Sequence, residues 1–131
     1  MEKSRGGDAL AALRGLTILV VEDEYFLATE ISRKLRHAGA AVVGPFPAVG
    51  DAFKAVEAGR AIDAALLDVN LRGDMVYPLA DLLRGRGTPF VFMTGYDRDA
   101  LPQGYRDVPL CDKPVDVEDF VHHIAGVPSG A

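Results

Sequence analysis

Apolar residues along this chain come in two alternating rhythms. Thr17-Ile18-Leu19-Val20-Val21 is an almost wholly apolar, β-branched run, the pattern of a strand buried on both faces, as in a parallel sheet. Ala41-Val42-Val43, Ala64-Ala65-Leu66-Leu67 and Phe90-Val91-Phe92-Met93 repeat it. Val108-Pro109-Leu110-Cys111 predicts a weaker fifth strand, whose proline suits a sheet edge. Between the strands the apolar positions recur every three or four residues. Leu27, Ile31, Leu35 and Ala38 predict a helix stopped by Gly39, and Val49, Ala52, Phe53 and Val56 one stopped by Gly59. Val76, Leu79, Ala80 and Leu83 predict a third, with Pro78 tolerable only in its first turn. Val117, Phe120, Val121 and Ile124 predict the last, with Asp116 as its N-cap.

One helix is missing from the rhythm. The segment from Asp97 to Arg106 contains Pro102 and Gly104, and only Ala100, Leu101 and Tyr105 are apolar. Proline in a helix interior costs about 3 kcal/mol, so a short, irregular element is expected there. Strands alternating with helices imply an α/β fold, a doubly wound five-stranded parallel sheet of order 2-1-3-4-5 joined by right-handed crossovers. In such sheets ligands sit beyond the carboxyl ends of the strands, at the switch point beside strand one.

The residues at those ends are the ones that carry chemistry. Glu22, Asp23 and Glu24 follow strand one, Asp68 follows strand three, Thr94 strand four, and Lys113 strand five. The topology brings Glu22, Asp23 and Asp68 into one cleft. Clustered carboxylates either rise in pKa or are neutralised by a cation, and their hard oxygens suit Mg²⁺. With a lysine to hold a phosphoryl group and a threonine hydroxyl to donate to it, the set is what phosphoryl transfer requires. Asp68 is the expected nucleophile, because carboxylates form aspartyl phosphates. Each residue also has a plainer reading. Acidic residues after a strand often cap helices, which is the reading preferred for Glu24. Asn70 and Thr94-Gly95 could serve only as turn residues, and Lys113 could be a solvated surface charge.

The segments Val20-Val21-Glu22-Asp23-Glu24, Leu67-Asp68-Val69-Asn70-Leu71, Met93-Thr94-Gly95 and Asp112-Lys113-Pro114 resemble the receiver domain of bacterial two-component response regulators, a flavodoxin-like fold. The resemblance runs from roughly Leu16 to Ala125. It implies Glu22 and Asp23 as ligands of Mg²⁺ (or Mn²⁺), together with Asp68, the phosphoacceptor, and the backbone carbonyl of Asn70. Thr94 and Lys113 would bind the phosphoryl group, and Pro114 would follow a cis peptide bond. The implied partners are a sensor histidine kinase or a histidine phosphotransfer protein, and a downstream protein. Two positions depart from the common pattern. Leu110 stands where the family has an aromatic residue. Pro89-Phe90-Val91-Phe92-Met93-Thr94-Gly95-Tyr96 resembles a single-domain subgroup with a Phe-Ala-Thr-Gly-x-Tyr motif, Met93 replacing its alanine, so that Tyr96 becomes a second switch candidate. The competing readings are a phosphate-independent receiver-like binding module and a haloacid-dehalogenase-like phosphatase. The latter wants a second acid where Asn70 stands.

Composition narrows the picture without changing it. At 131 residues one domain is expected: residues 1–15 as an N-terminal extension, 16–126 as the receiver, 127–131 as a flexible tail, with no output domain after it. A net charge of -5, from 19 acidic and 14 basic residues, argues against direct nucleic-acid contact. No apolar run approaches a membrane span, so a cytoplasmic signalling protein rather than an enzyme is expected, slow self-dephosphorylation aside. The single Cys111 excludes an internal disulfide framework, is read as a core residue and is not expected to form a metal cluster. His37, His122 and His123 are read as surface residues. So are Asp81, Asp97, Asp99 and Asp107, while Asp74 is a possible helix cap.

Overall fold

The structure is a computed structural model and describes residues 10–69, 75–95 and 101–124. The expectations for Asn70, Asp74, Tyr96, Asp97, Asp99, the first nine residues and the C-terminal tail lie outside the described residues.

The five strands are β1 (Thr17–Val21), β2 (Ala41–Phe46), β3 (Ala64–Asp68), β4 (Phe90–Thr94) and β5 (Leu110–Asp112). They form one parallel sheet in the order β2-β1-β3-β4-β5, as the alternation predicts. The helices are α1 (Tyr25–His37), α2 (Val49–Glu57), α3 (Tyr77–Gly85) and α4 (Val117–Ile124). Between β4 and β5 the described residues hold only a 3-10 turn, Gln103–Tyr105, in keeping with the Pro102 and Gly104 that interrupt any longer helix.

Side-chain alternation divides the core into two layers. Ile18, Val20, Leu66, Val91 and Met93 face one side with Ile31, Leu35, Phe120 and Val121. Leu19, Val21, Leu67 and Phe92 face the other with Val56, Leu79 and Leu83. Burying side chains of this size stabilises by about 1.5–3 kcal/mol each, and the central strands are buried along their whole length. That is why they read as unbroken apolar runs rather than as alternating ones.

β2 is longer than its Ala41–Val43 apolar run suggests. β1 shifts register between Leu19 and Val21, so that Val21 pairs with Phe46, beyond the cis bond Gly44–Pro45. Gly44 has φ +105°, and a Cβ there would lie 2.7 Å from Phe46 N and 2.8 Å from Val20 O. Only glycine fits. The extension has a consequence at the sheet end: the Phe46 carbonyl accepts from the Glu22 N–H at 3.0 Å, fixing the backbone of the first acidic residue.

Candidate functional site

Register builds the cleft. Val21 stands beside Leu67, Asp68 beside Met93, and Thr94 beside Asp112. One residue further along each strand therefore brings Glu22, Asp68, Thr94 and Lys113 to one end of the sheet. Two backbone bonds hold the rim: Val69 N–H to the Met93 carbonyl at 3.1 Å, and Lys113 N–H to the Thr94 carbonyl at 3.3 Å. The Lys113–Pro114 bond is cis, as the resemblance implies.

Four of the side chains converge there. Lys113 Nζ lies 2.9 Å from Asp68 Oδ1 and 3.2 Å from Glu22 Oε1. Glu22, Asp23 and Asp68 each offer a carboxylate oxygen within 4.8 Å of the others. Glu22, Asp68 and Thr94 are buried, Asp23 half-buried. Glu24 is set apart from them: its Oε1 accepts from the Leu27 N–H at 3.0 Å, the capping role expected of it. Its own N–H donates to Glu22 Oε2 at 2.9 Å, so the cap also orients the metal-ligand candidate beside it.

Three carboxylates face one ammonium group. Burial pushes Glu22 up to about 7, the neighbouring Asp68 adding to the rise and the Glu24 N–H opposing it. Burial by itself would lower Lys113, but the hydrogen bond and charge of Asp68, with Glu22 behind it, outweigh burial and hold the ammonium above its usual range. Desolvated carboxylates with an excess of negative charge, close enough to share an ion, fit a hard divalent cation.

Two further features lay outside the reach of sequence reasoning. Tyr105 stacks at 4.6 Å from Tyr77 and 6.3 Å from Phe92, and its hydroxyl donates to Asp81 at 2.8 Å. Arg84 pairs with Asp107 at 3.1 Å and donates to the Gly104 carbonyl at 3.2 Å. Asp81 and Asp107 are exposed, as expected, yet each has a partner more than 20 positions away, and periodicity carries no sign of such pairs. Leu110 packs, half-buried, against the same aromatic layer. An aromatic side chain is thus present near β5, supplied by the 3-10 turn rather than by the strand.

No family model matches the chain, and no curated protein matches it significantly. Solved structures do. SdrG from Sphingomonas melonis Fr1 is 38% identical, with a TM-score of 0.74 over 86% of this chain and 96% of that one. The chain belongs to the response regulator receiver family. A structure of SdrG from Pseudomonas melonis Fr1, described as the BeF3-activated conformation, matches this receiver at 38% identity and TM-score 0.70, over 85% of this chain and 94% of that one. A response regulator from Burkholderia pseudomallei, solved with a phosphorylated aspartic acid and a calcium ion, shares the receiver fold at 21% identity and TM-score 0.73, over 88% and 70% of the two chains. Among the described residues no helix is long and apolar enough to cross a membrane.

Proposed function

We propose that this receiver accepts a phosphoryl group on Asp68 from a histidine kinase or a phosphotransfer protein, in a reaction that depends on Mg²⁺ or Mn²⁺, and signals through contacts with other proteins. The observation that supports the reading best is the contact of Lys113 Nζ with Asp68 Oδ1 at 2.9 Å, inside a cluster of carboxylates. Glu22, Asp23 and Asp68, with the backbone carbonyl of Asn70, would hold the ion. Bound there, it would screen the carboxylates and the oxygens of the incoming phosphoryl group from one another.

The chain's own residues do the rest. A carboxylate oxygen of Asp68 attacks phosphorus, and the bond from phosphorus to the donor's imidazole nitrogen breaks. Lys113, already an ion-pair partner of Asp68, holds a phosphoryl oxygen as a point charge. The Thr94 hydroxyl, at the adjacent strand end, donates to another. The acyl phosphate adds a charge of about -2 at a buried strand end, enough to bias the surrounding loops between two conformations. With leucine at position 110, Tyr96, two residues from Thr94 in the sequence, is the proposed reporter of Thr94. The likeness to SdrG, whose structure has been described in a BeF3-activated conformation, supports this chemistry.

Intact-mass spectrometry after incubation with Mg²⁺ and a small acyl-phosphate donor tests it. One added phosphoryl group is expected in the wild type, none in Asp68→Asn, and none with a chelator present. In Tyr96→Ala labelling persists while the phosphorylation-dependent chemical-shift changes near Thr94 shrink. A wild type that no acyl phosphate or candidate kinase can label would point to the phosphate-independent binding module instead.

A further inference from the structure

Outside the cleft, the described residues bring together one more set of metal-ligating side chains. Cys111 on β5 and Asp119 and His123 on α4 offer a thiol, a carboxylate and an imidazole whose ligand atoms all lie within 4.8 Å of one another. Asp119 and His123 are one helical turn apart and share a face of α4. Cys111 Sγ is 3.7 Å from Asp119 Oδ2, and His123 Nε2 is 3.9 Å from Asp119 Oδ1. Around a four-coordinate ion with bonds of about 2.3 Å to sulfur and about 2.0–2.1 Å to nitrogen or oxygen, neighbouring donors stand roughly 3.3–3.6 Å apart. The sulfur and imidazole contacts, made to different oxygens of Asp119, exceed that by a few tenths of an ångström, and with all three donors within 4.8 Å of one another small side-chain rotations can bring them onto one ion. Cysteine spacing in the sequence cannot register this grouping, because the partners of Cys111 come from a different element.

A nucleophilic thiol is the competing use of such a trio, and the surroundings of the sulfur oppose it. Cys111 Sγ lies 3.7 Å from the Asp119 carboxylate, and burial, followed by the charge of Asp119, pushes the thiol up to about 12. An activated cysteine shows the opposite shift. A coordinating ion removes the difficulty, because it displaces the thiol proton to solvent as the metal–sulfur bond forms.

We propose that Cys111, Asp119 and His123 form a second metal site, for a borderline transition ion of the zinc class, with the fourth position open to water. The donor set selects that class: thiolate and imidazole suit zinc-like ions, whereas magnesium prefers the all-oxygen cleft. Access is from the helix side. Cys111 is buried, but the Asp119 and His123 side chains are 53% and 33% exposed. An ion there would tie α4 to the edge strand that leads into Lys113.

Cobalt(II) titration of the full chain, with magnesium in excess to fill the carboxylate cleft, is the test. One Co²⁺ per chain is expected, with a thiolate-to-cobalt charge-transfer band in the near ultraviolet that Zn²⁺ abolishes by displacement. Cys111→Ser removes the band. His123→Ala, on a partly exposed position, leaves the circular dichroism unchanged and weakens binding at least about 10-fold, since even outer-shell partners of a metal are worth that much. Absence of a charge-transfer band, or an unchanged affinity in His123→Ala, overturns the proposal. Cobalt held in the cleft has only oxygen ligands and gives no such band, so the outcome does not depend on the function proposed for Asp68.

Discussion

Two charged clusters in this molecule use the same functional groups to different ends. In the cleft, Lys113 meets Asp68 and Glu22, whose side chains are fully buried. At the surface, Arg84 meets Asp107, and Tyr105 meets Asp81, all in contact with water. The buried cluster carries more negative than positive charge, in surroundings where hydration cannot compensate. Its members are therefore poised to gain from an incoming cation. The surface cluster of Arg84, Asp107 and Asp81 also holds one more negative than positive charge, but it is well hydrated and energetically modest. Its work is positional: Arg84 lies 5.4 Å from the Tyr105 ring centre and 6.0 Å from that of Phe90, and with the Gly104 bond it ties the 3-10 turn to α3. One cluster stores electrostatic tension at the site of chemistry, and the other spends little energy to hold a helix-poor crossover in place.

Removing the cation from each cluster should separate them. Lys113→Met leaves buried carboxylates without their counter-charge and should destabilise the metal-free protein by roughly 3 kcal/mol, the low end for breaking a buried pair. Denaturant unfolding in chelator measures it. Saturating magnesium should shrink the loss, and an equal loss with and without magnesium would mean that the cleft holds no ion.

A somewhat smaller effect follows from Glu22. Its folded pKa lies above its unfolded one, so its contribution is complete below about 4.5 and disappears as pH rises to about 7. In metal-free protein this makes the stability fall across that window by on the order of 3 kcal/mol at most. Glu22→Gln should flatten the slope relative to wild type, and a slope unchanged by the substitution would assign it to another group.

The smallest effect belongs to the surface. Arg84→Ala should cost about 1 kcal/mol or less, with salt reducing the difference further. Hydrogen exchange should nonetheless quicken in the amides of Tyr105 and Val108, because the turn loses its tie to α3. A loss as large as that of Lys113→Met would erase the contrast between the clusters.

Legibility from sequence follows the same division. Buried parallel strands must be apolar throughout, so β1, β3 and β4 appear directly in the chain. The cleft is readable because the topology fixes which strand ends are neighbours, and Asp68 and Thr94 close their strands while Glu22 and Lys113 directly follow theirs. What escapes is whatever depends on a pairing across distant elements with no periodic signature. The extension of β2 through Gly44 and Pro45, the Tyr105–Asp81 bond and the meeting of Cys111 with Asp119 and His123 are all of this kind. Asp119 and His123 look like solvated helix residues until the helix is laid over β5.

The two outer strands carry a last consequence. Any open sheet offers unpaired N–H and C=O groups along its margins, and a second extended chain can add there. On one margin β2 contains Pro45, which has no N–H to give, and its pairing with β1 shifts register beside it. On the other, β5 is three residues long and bracketed by Pro109 and Pro114. Prolines at both margins thus work against the addition of a further strand, a safeguard that matters in a domain with nearly half its residues apolar.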